Sequence, residues 1–165
     1  MKRKKRIFIF CLVVLGISIA AAAYVYVQVL IPAQTMQDAS WWENASQDEI
    51  RQLCHRAIST RFGAHHNAFL SLAQMGNAES VPLLIRALKW HETPDEDVLV
   101  ICTTGHCLKA LRSLTGHNAG TKYLDWKRWW TETGSKLPAE AFYPRKKQQF
   151  QRKEAAKVGM EAKSK

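Results

Sequence analysis

Several motifs that carry enzyme chemistry are absent from this 165-residue sequence. It contains no Gly-x-Ser-x-Gly turn for a serine nucleophile, no His-Glu-x-x-His zinc motif, no P-loop and no glycine-rich dinucleotide turn. Residues 95–97 are three adjacent acids beside Pro94, where a solvated turn explains them better than acid–base catalysis does. We therefore expect no catalytic residue and no cofactor.

Acidic residues are also scarce at both ends of the chain. Residues 1–6 carry five Lys or Arg and no acid, and residues 144–165 carry eight Lys or Arg against two Glu. The rest of the chain is close to neutral, with eleven basic residues against twelve acidic ones. The net charge of +10 thus predicts no specific nucleic-acid-binding face on the folded part. We expect residues 144–165 to form a basic flexible tail that can contact an anionic lipid or polymer.

Charge of either sign is missing from residues 7–31, which are almost entirely apolar. About 20 apolar residues cross a bilayer, so this segment predicts a transmembrane signal-anchor helix, which Pro32 should end. The basic residues 1–6 favour a cytoplasmic N-terminus under the positive-inside rule. We expect a single-pass protein of the cell inner membrane, with the bulk of the chain periplasmic.

A cleaved signal peptide is the alternative interpretation, with the small residues 21–23 as its cleavage site. Eight more residues, nearly all apolar, follow before Pro32, and cleavage would leave them at the mature N-terminus. This pattern favours the uncleaved anchor.

Beyond the anchor, apolar residues recur with helical spacing. Residues 33–45 lack this periodicity and indicate a short stalk, after which Ser46 and Glu49 form a capping-box pattern. The first helix should end near Arg61. Five apolar stripes predict five helices, and their members are Ile50, Leu53, Cys54 and Ala57; Phe69, Leu72, Ala73 and Gly76; Val81, Leu84, Ile85 and Leu88; Cys107, Leu108, Leu111 and Leu114; and Tyr123, Trp126 and Trp130.

Short polar and glycine residues mark the helix ends. Gly76 suits a left-handed helix end, and Asn77 or Ser80 can cap the next helix. Gly116 should end the fourth helix, and Thr121 can cap the last one. The aromatic stripe of the last helix is expected to close the open end of the stack, with its tryptophans substantially buried.

The helix ending at Gly76, the Gly-Asn corner and the following Val81-Pro-Leu-Leu84 resemble one HEAT repeat of the short, PBS-lyase-like kind. The resemblance continues in residues 108–116 and 125–130 and covers a little under half of the chain. It implies an all-α fold, with a transmembrane helix followed by a five-helix HEAT-like stack over residues 46–137. Stacked units share one core and present a surface suited to a protein partner. Some HEAT-like proteins of this type act on bilin chromophores, so the resemblance also permits a lyase-like enzyme.

The cysteines outside the anchor are expected in a compartment that oxidises thiols. In one continuous helix Cys102 and Cys107 would point about 140° apart, so they can bond only if helical geometry begins a residue or two after Cys102. The β-branched run at this point makes that possible, and Cys102–Cys107 is the candidate disulfide. Pairing of Cys54 with either one, or three reduced core thiols, are the alternatives.

The same two cysteines, with His55 and His117, could also suggest a metal site, but zinc usually takes ligands in short paired motifs. His65 and His66, at a helix start, are expected to be solvated or capping. The sequence therefore predicts a membrane-anchored, extracytoplasmic protein-interaction module with no catalytic, cofactor or metal residue. A small ligand- or metal-dependent enzyme that uses residues 102–107 is the alternative.

Overall fold

A computed structural model describes residues 2–92 and 102–144, with side chains for residues 7–92 and 103–144. Every regular element in these ranges is helical, which confirms the all-α prediction. The helices are α1 (Lys2–Val25), α2 (Ile31–Thr35), α3 (Ala39–Asn44), α4 (Gln47–Ile58), α5 (His65–Met75), α6 (Ser80–Leu88), α7 (Cys102–Thr115) and α8 (Tyr123–Glu132). The acidic turn at residues 95–97 and the basic tail at residues 145–165 lie outside the described residues.

The N-terminal helix does not end at Pro32. α1 continues through a π-helical turn, Tyr26–Leu30, directly into α2. In this turn the Ile31 N–H donates to the Tyr26 carbonyl, five residues back. The wider turn accommodates Pro32, which has no N–H and crowds the carbonyl four residues before it. The resulting helix, Ile7–Thr35, spans 29 residues and is long and apolar enough to cross a membrane.

Residues 33–45, expected to be a stalk, fold against the domain instead. α3 is capped by Asp38, whose Oδ1 accepts a hydrogen bond from the Ser40 N–H at 2.9 Å. The Trp42 Nε1–H donates to the Met36 carbonyl at 3.0 Å, and the Met36 side chain is buried. Because α4 also packs against α2 and the π-helical turn, the domain rests directly on the end of the apolar helix.

The capping box at the start of α4 is confirmed. The Ser46 Oγ accepts from the Glu49 N–H at 3.3 Å, and the Ser46 N–H donates to Glu49 Oε2 at 2.8 Å. α4 ends at Ile58, slightly before its expected end. The chain then folds back closely, since a Cβ at Gly63 would lie 1.7 Å from the Ala57 carbonyl oxygen.

Two layers of helices enclose the core. α5 packs against α4 and α7, while α6 packs against α4, α7 and α8. Thus α5 and α7 form one layer, here called the α5–α7 layer, and α4, α6 and α8 form the other. The apolar stripes expected from the sequence are buried, except that Ala73, Tyr123 and Trp130 are half-buried.

Two of the expected helix ends are wrong. Gly76 is extended, with φ −65° and ψ 167°, so it is not a left-handed end. It is glycine because a Cβ would lie 2.6 Å from the Leu72 carbonyl oxygen and 2.8 Å from Leu114 Cδ1. Thr121 does not cap α8; the first amide of that helix, on Tyr123, donates to Glu92 Oε1 at 3.2 Å. By contrast, the end of α7 at Gly116 is confirmed, with a left-handed φ of 67° at Gly116.

The aromatic stripe of α8 closes one end of the domain. Trp126 is fully buried and its Nε1–H donates to the Gly120 carbonyl at 3.1 Å. Trp130 is only half-buried, and its ring lies 5.7 Å from that of Phe142. Phe142 is itself 2% exposed, so the packed core extends beyond residue 137, the boundary expected from the sequence.

Replacing Trp126 with Ala should lower the free energy of unfolding by about 3–5 kcal/mol, because it leaves a cavity in the core and removes the hydrogen bond to the Gly120 carbonyl. Urea unfolding of the detergent-solubilised full chain, followed by circular dichroism, measures this loss. Leu124→Ala is the matched control on the same helix: Leu124 is 63% exposed, so its loss should stay within about 0.5 kcal/mol. Equal losses for both variants would contradict the structural role of Trp126.

Candidate functional site

The described residues give no support for the expected Cys102–Cys107 disulfide, since Cys107 is a free thiol. α7 already begins at Cys102, so the backbone of both cysteines lies in one continuous helix. The Cys107 Sγ–H donates to the Leu84 carbonyl at 3.4 Å. Cys54 is also a free, buried thiol, whereas the side chain of Cys102 lies outside the described residues.

Burial makes both core thiols chemically inert. It raises the pKa of the Cys54 thiol to about 12, although a hydrogen bond with Ser71 opposes the shift. Burial raises the pKa of the Cys107 thiol as well. Since the thiolate is the reactive form, neither side chain is suited to act as a nucleophile or a metal ligand.

A buried histidine pair joins the start of α5 to the end of α6. His65 is only 4% exposed, so the expectation that it is solvated is wrong. Its Nδ1 lies 2.5 Å from His91 Nε2, and its Nε2 lies 2.5 Å from the Thr60 carbonyl oxygen. The Thr104 hydroxyl of α7 donates to the His91 carbonyl at 2.6 Å, so the pair ties three helices together.

The partners of His65 define its protonation. Nε2 faces a carbonyl and donates a proton to it, so in a neutral His65 ring Nδ1 accepts the Nε2–H of His91. Burial lowers the pKa of His65, and burial together with the neighbouring His65 lowers the pKa of His91. The sequence offered no signal for this pair, because the two residues are 26 positions apart.

The other candidate metal ligands are spread over the domain. His55 Nε2 lies 2.7 Å from Ser80 Oγ, and the ring of His117 stacks on Trp129 at 4.8 Å. Neither ring is placed with Cys107. Within residues 7–92 and 103–144, no three His, Cys, Asp or Glu side chains come together as a metal-binding group.

A groove of about 330 Å³ lies on the α5–α7 layer. Leu70, Ala73 and Pro144 contribute apolar surface to it, and the polar groups come from Gln74, His106, Lys109 and Ser113. The Ser113 hydroxyl of α7 donates to the Ala73 carbonyl of α5 at 2.9 Å, which joins the two helices across the groove. Its volume falls at the lower end of the range of ligand pockets, about 300–1,000 Å³.

A second cavity of about 260 Å³ adjoins the first. Pro144 lines both cavities, so the two spaces meet at the last described residues. In the second cavity the Arg51 Nε–H donates to the Met75 carbonyl at 2.9 Å, and its guanidinium pairs with Asp48 at 2.5 Å. The charged groups of the second cavity are therefore paired within the protein, whereas Lys109 of the first has no ion-pair partner among the described residues.

Comparison with known proteins gives no relative. A scan against protein-family models, a search of curated proteins and a search of solved structures each found no match to this chain.

Acidification should destabilise the domain through the histidine pair. The pKa values of His65 and His91 are lowered in the folded state, so the unfolded chain binds more protons below about pH 6.5. Stability is fully present above that pH and falls as the pH drops through the folded-state pKa values. Urea unfolding of the detergent-solubilised full chain at about pH 7.5 and about pH 5 measures the difference.

The variant His65→Gln/His91→Gln should lose less stability over this pH interval than the unaltered chain. His55 also contributes, since burial lowers its pKa despite the nearby Glu79, so a part of the effect should remain. His66→Gln is the matched control, because His66 is exposed. An unchanged pH dependence in the double variant would contradict this role of the pair.

Proposed function

We propose that this chain is a membrane-anchored, extracytoplasmic module that binds another protein and has no catalytic role of its own. The observation that carries the proposal is the direct continuation of the apolar helix Ile7–Thr35 into the folded domain. α4 packs on the end of that helix, and Met36 joins the core. An anchor built in this way presents the domain at a defined place next to the bilayer.

Exposed apolar side chains favour an anchor over a cleaved signal peptide. Cleavage after residue 23 would leave a short helix with large apolar groups facing solvent; these are Tyr24, Val25, Tyr26, Val27 and Leu30, which are 42–59% exposed. Pro32 and Met36, farther along, are buried against the domain. A bilayer covers the first group, and the domain covers the second.

The direction of insertion rests on charge. Residues 2–6 are all Lys or Arg, and a basic segment of this kind stays on the cytoplasmic side. The folded domain is then periplasmic, in an inner-membrane protein that crosses the bilayer once.

The HEAT-like architecture belongs to the same proposal. Its support is the alternation of successive helices between two layers, with α5 and α7 in one and α6 and α8 in the other. Stacked helical units of this type expose long helix faces, which suit protein partners. A lyase-like enzyme at residues 102–107 has weaker support, because the Cys107 thiol is buried and engaged by the Leu84 carbonyl.

A reporter fused after Lys165 tests the topology. An enzyme that is active only outside the cytoplasm should be active in this fusion, and one that is active only inside should not. Replacing Lys2, Arg3, Lys4, Lys5 and Arg6 by neutral residues should reduce or invert the orientation. Fusion to a segment of known orientation is the control. Cytoplasmic activity of the unaltered fusion would refute an extracytoplasmic domain, and release of the mature protein from the membrane would refute the anchor.

A further inference from the structure

The helices of the α5–α7 layer carry no acidic side chain. Neither α5 nor α7 contains an Asp or a Glu. In the other layer α6 also contains none, and α4 and α8 each contain both. Lys109 and Arg112 are exposed on α7. Arg112 is held by the Asn118 side chain at 2.9 Å. Among the described residues Lys109 has no ion-pair partner, and it lines the groove.

The chain beyond the described residues adds to this charge. Pro144 is buried and lines the groove, and the residues that follow it carry eight Lys or Arg against two Glu. A strongly basic segment therefore starts at the wall of the groove. Lys109 and this segment carry charge of the same sign, so an acidic partner complements both.

The apolar part of the groove selects against a purely ionic ligand. Leu70 and Ala73 are half-buried on α5, and together with Pro144 they leave a concave apolar surface beside the lysine. Gln74 and the Ser113 hydroxyl add uncharged polar groups. A ligand that complements all of these groups would insert one large apolar side chain into the groove and would place a carboxylate against Lys109.

The geometry points to the groove of the α5–α7 layer as the docking site for an acidic peptide segment of a partner protein, with Leu-like side chains interspersed among Asp or Glu. This deepens the proposed function and rests on it, because it names the partner chemistry of the interaction module. The basic segment after Pro144 raises the association rate by attracting the acidic peptide, and the groove supplies the selection of the apolar side chain.

Fluorescence anisotropy with labelled synthetic peptides and the detergent-solubilised full chain tests this site. Three peptides of equal length serve as probes: one that combines Glu with Leu, one with Ser in place of each Leu, and one with Lys in place of each Glu. The Glu–Leu peptide should bind most tightly. Equal binding of the Glu–Leu and Glu–Ser peptides would overturn the proposal, since binding would then be purely ionic.

Two pairs of variants locate the site. Lys109→Glu should weaken binding of the Glu–Leu peptide by at least about threefold more than Lys127→Glu does. Lys127 is exposed on α8 in the other layer, and its reversal changes the net charge equally. Leu70→Ala should weaken the Glu–Leu peptide but not the Glu–Ser peptide, with Leu124→Ala as the control. Equal effects of the two lysine variants, or no effect of Leu70→Ala, would overturn the assignment of peptide binding to the groove.

A variant truncated after Pro144 separates the contribution of the groove to peptide binding from that of the basic segment. It should bind acidic peptides more weakly but still prefer the Glu–Leu peptide over the Glu–Ser peptide. Loss of that preference would assign recognition to residues 145–165, and tighter binding would show that these residues occupy the groove; either result would overturn the proposal. A cytoplasmic reporter would refute the proposed function and leave these affinities unchanged, so the two failures are distinguishable.

Discussion

The packing of α5 between α4 and α7 is the contact on which the rest of the domain depends. Phe69 and Leu72 of α5 are fully buried in it, and the close approach of Leu114 to Gly76 leaves no room for a side chain at the end of α5. Because α5 and α7 are held so closely, a shallow groove forms along the surface where they meet. The same contact thus builds the core and shapes the candidate binding site.

Burial also decides which reactive side chains are available. The thiols of Cys54 and Cys107 and the rings of His65 and His91 would be candidates for catalysis or metal binding if they were exposed. In the fold Cys54, Cys107 and His65 are buried and His91 is half-buried. Burial shifts the pKa of each group so that its charged form is disfavoured, and each group hydrogen-bonds to a neighbour. The groove on the α5–α7 layer instead places Lys109 beside an apolar concavity, and the proposed peptide site is built on this arrangement.

The junction between the apolar helix and the domain holds the candidate binding site in a defined position relative to that helix. A flexible stalk would let the domain sample many orientations, whereas the π-helical turn, Pro32 and Met36 connect the helix to α4 through packed contacts. The groove is therefore carried by a body that is attached directly to the helix that could cross a membrane. Under the proposed function, this arrangement favours a partner that is itself close to the membrane.

Periodicity and composition by themselves determined the helical class, the apolar stripes, the capping box at Ser46 and the long apolar helix, because each depends on residues within a few positions of one another. The same local patterns were wrong about Gly76, Thr121 and His65. Leu114 leaves no room for a side chain at Gly76, Glu92 caps the amide of Tyr123, and His65 is paired with His91. These partners are 26 to 38 residues away in sequence, so only tertiary packing could bring them together. The groove depends on packing in the same way, since its walls come from α5, α7 and Pro144, and no local pattern records which helix faces will meet.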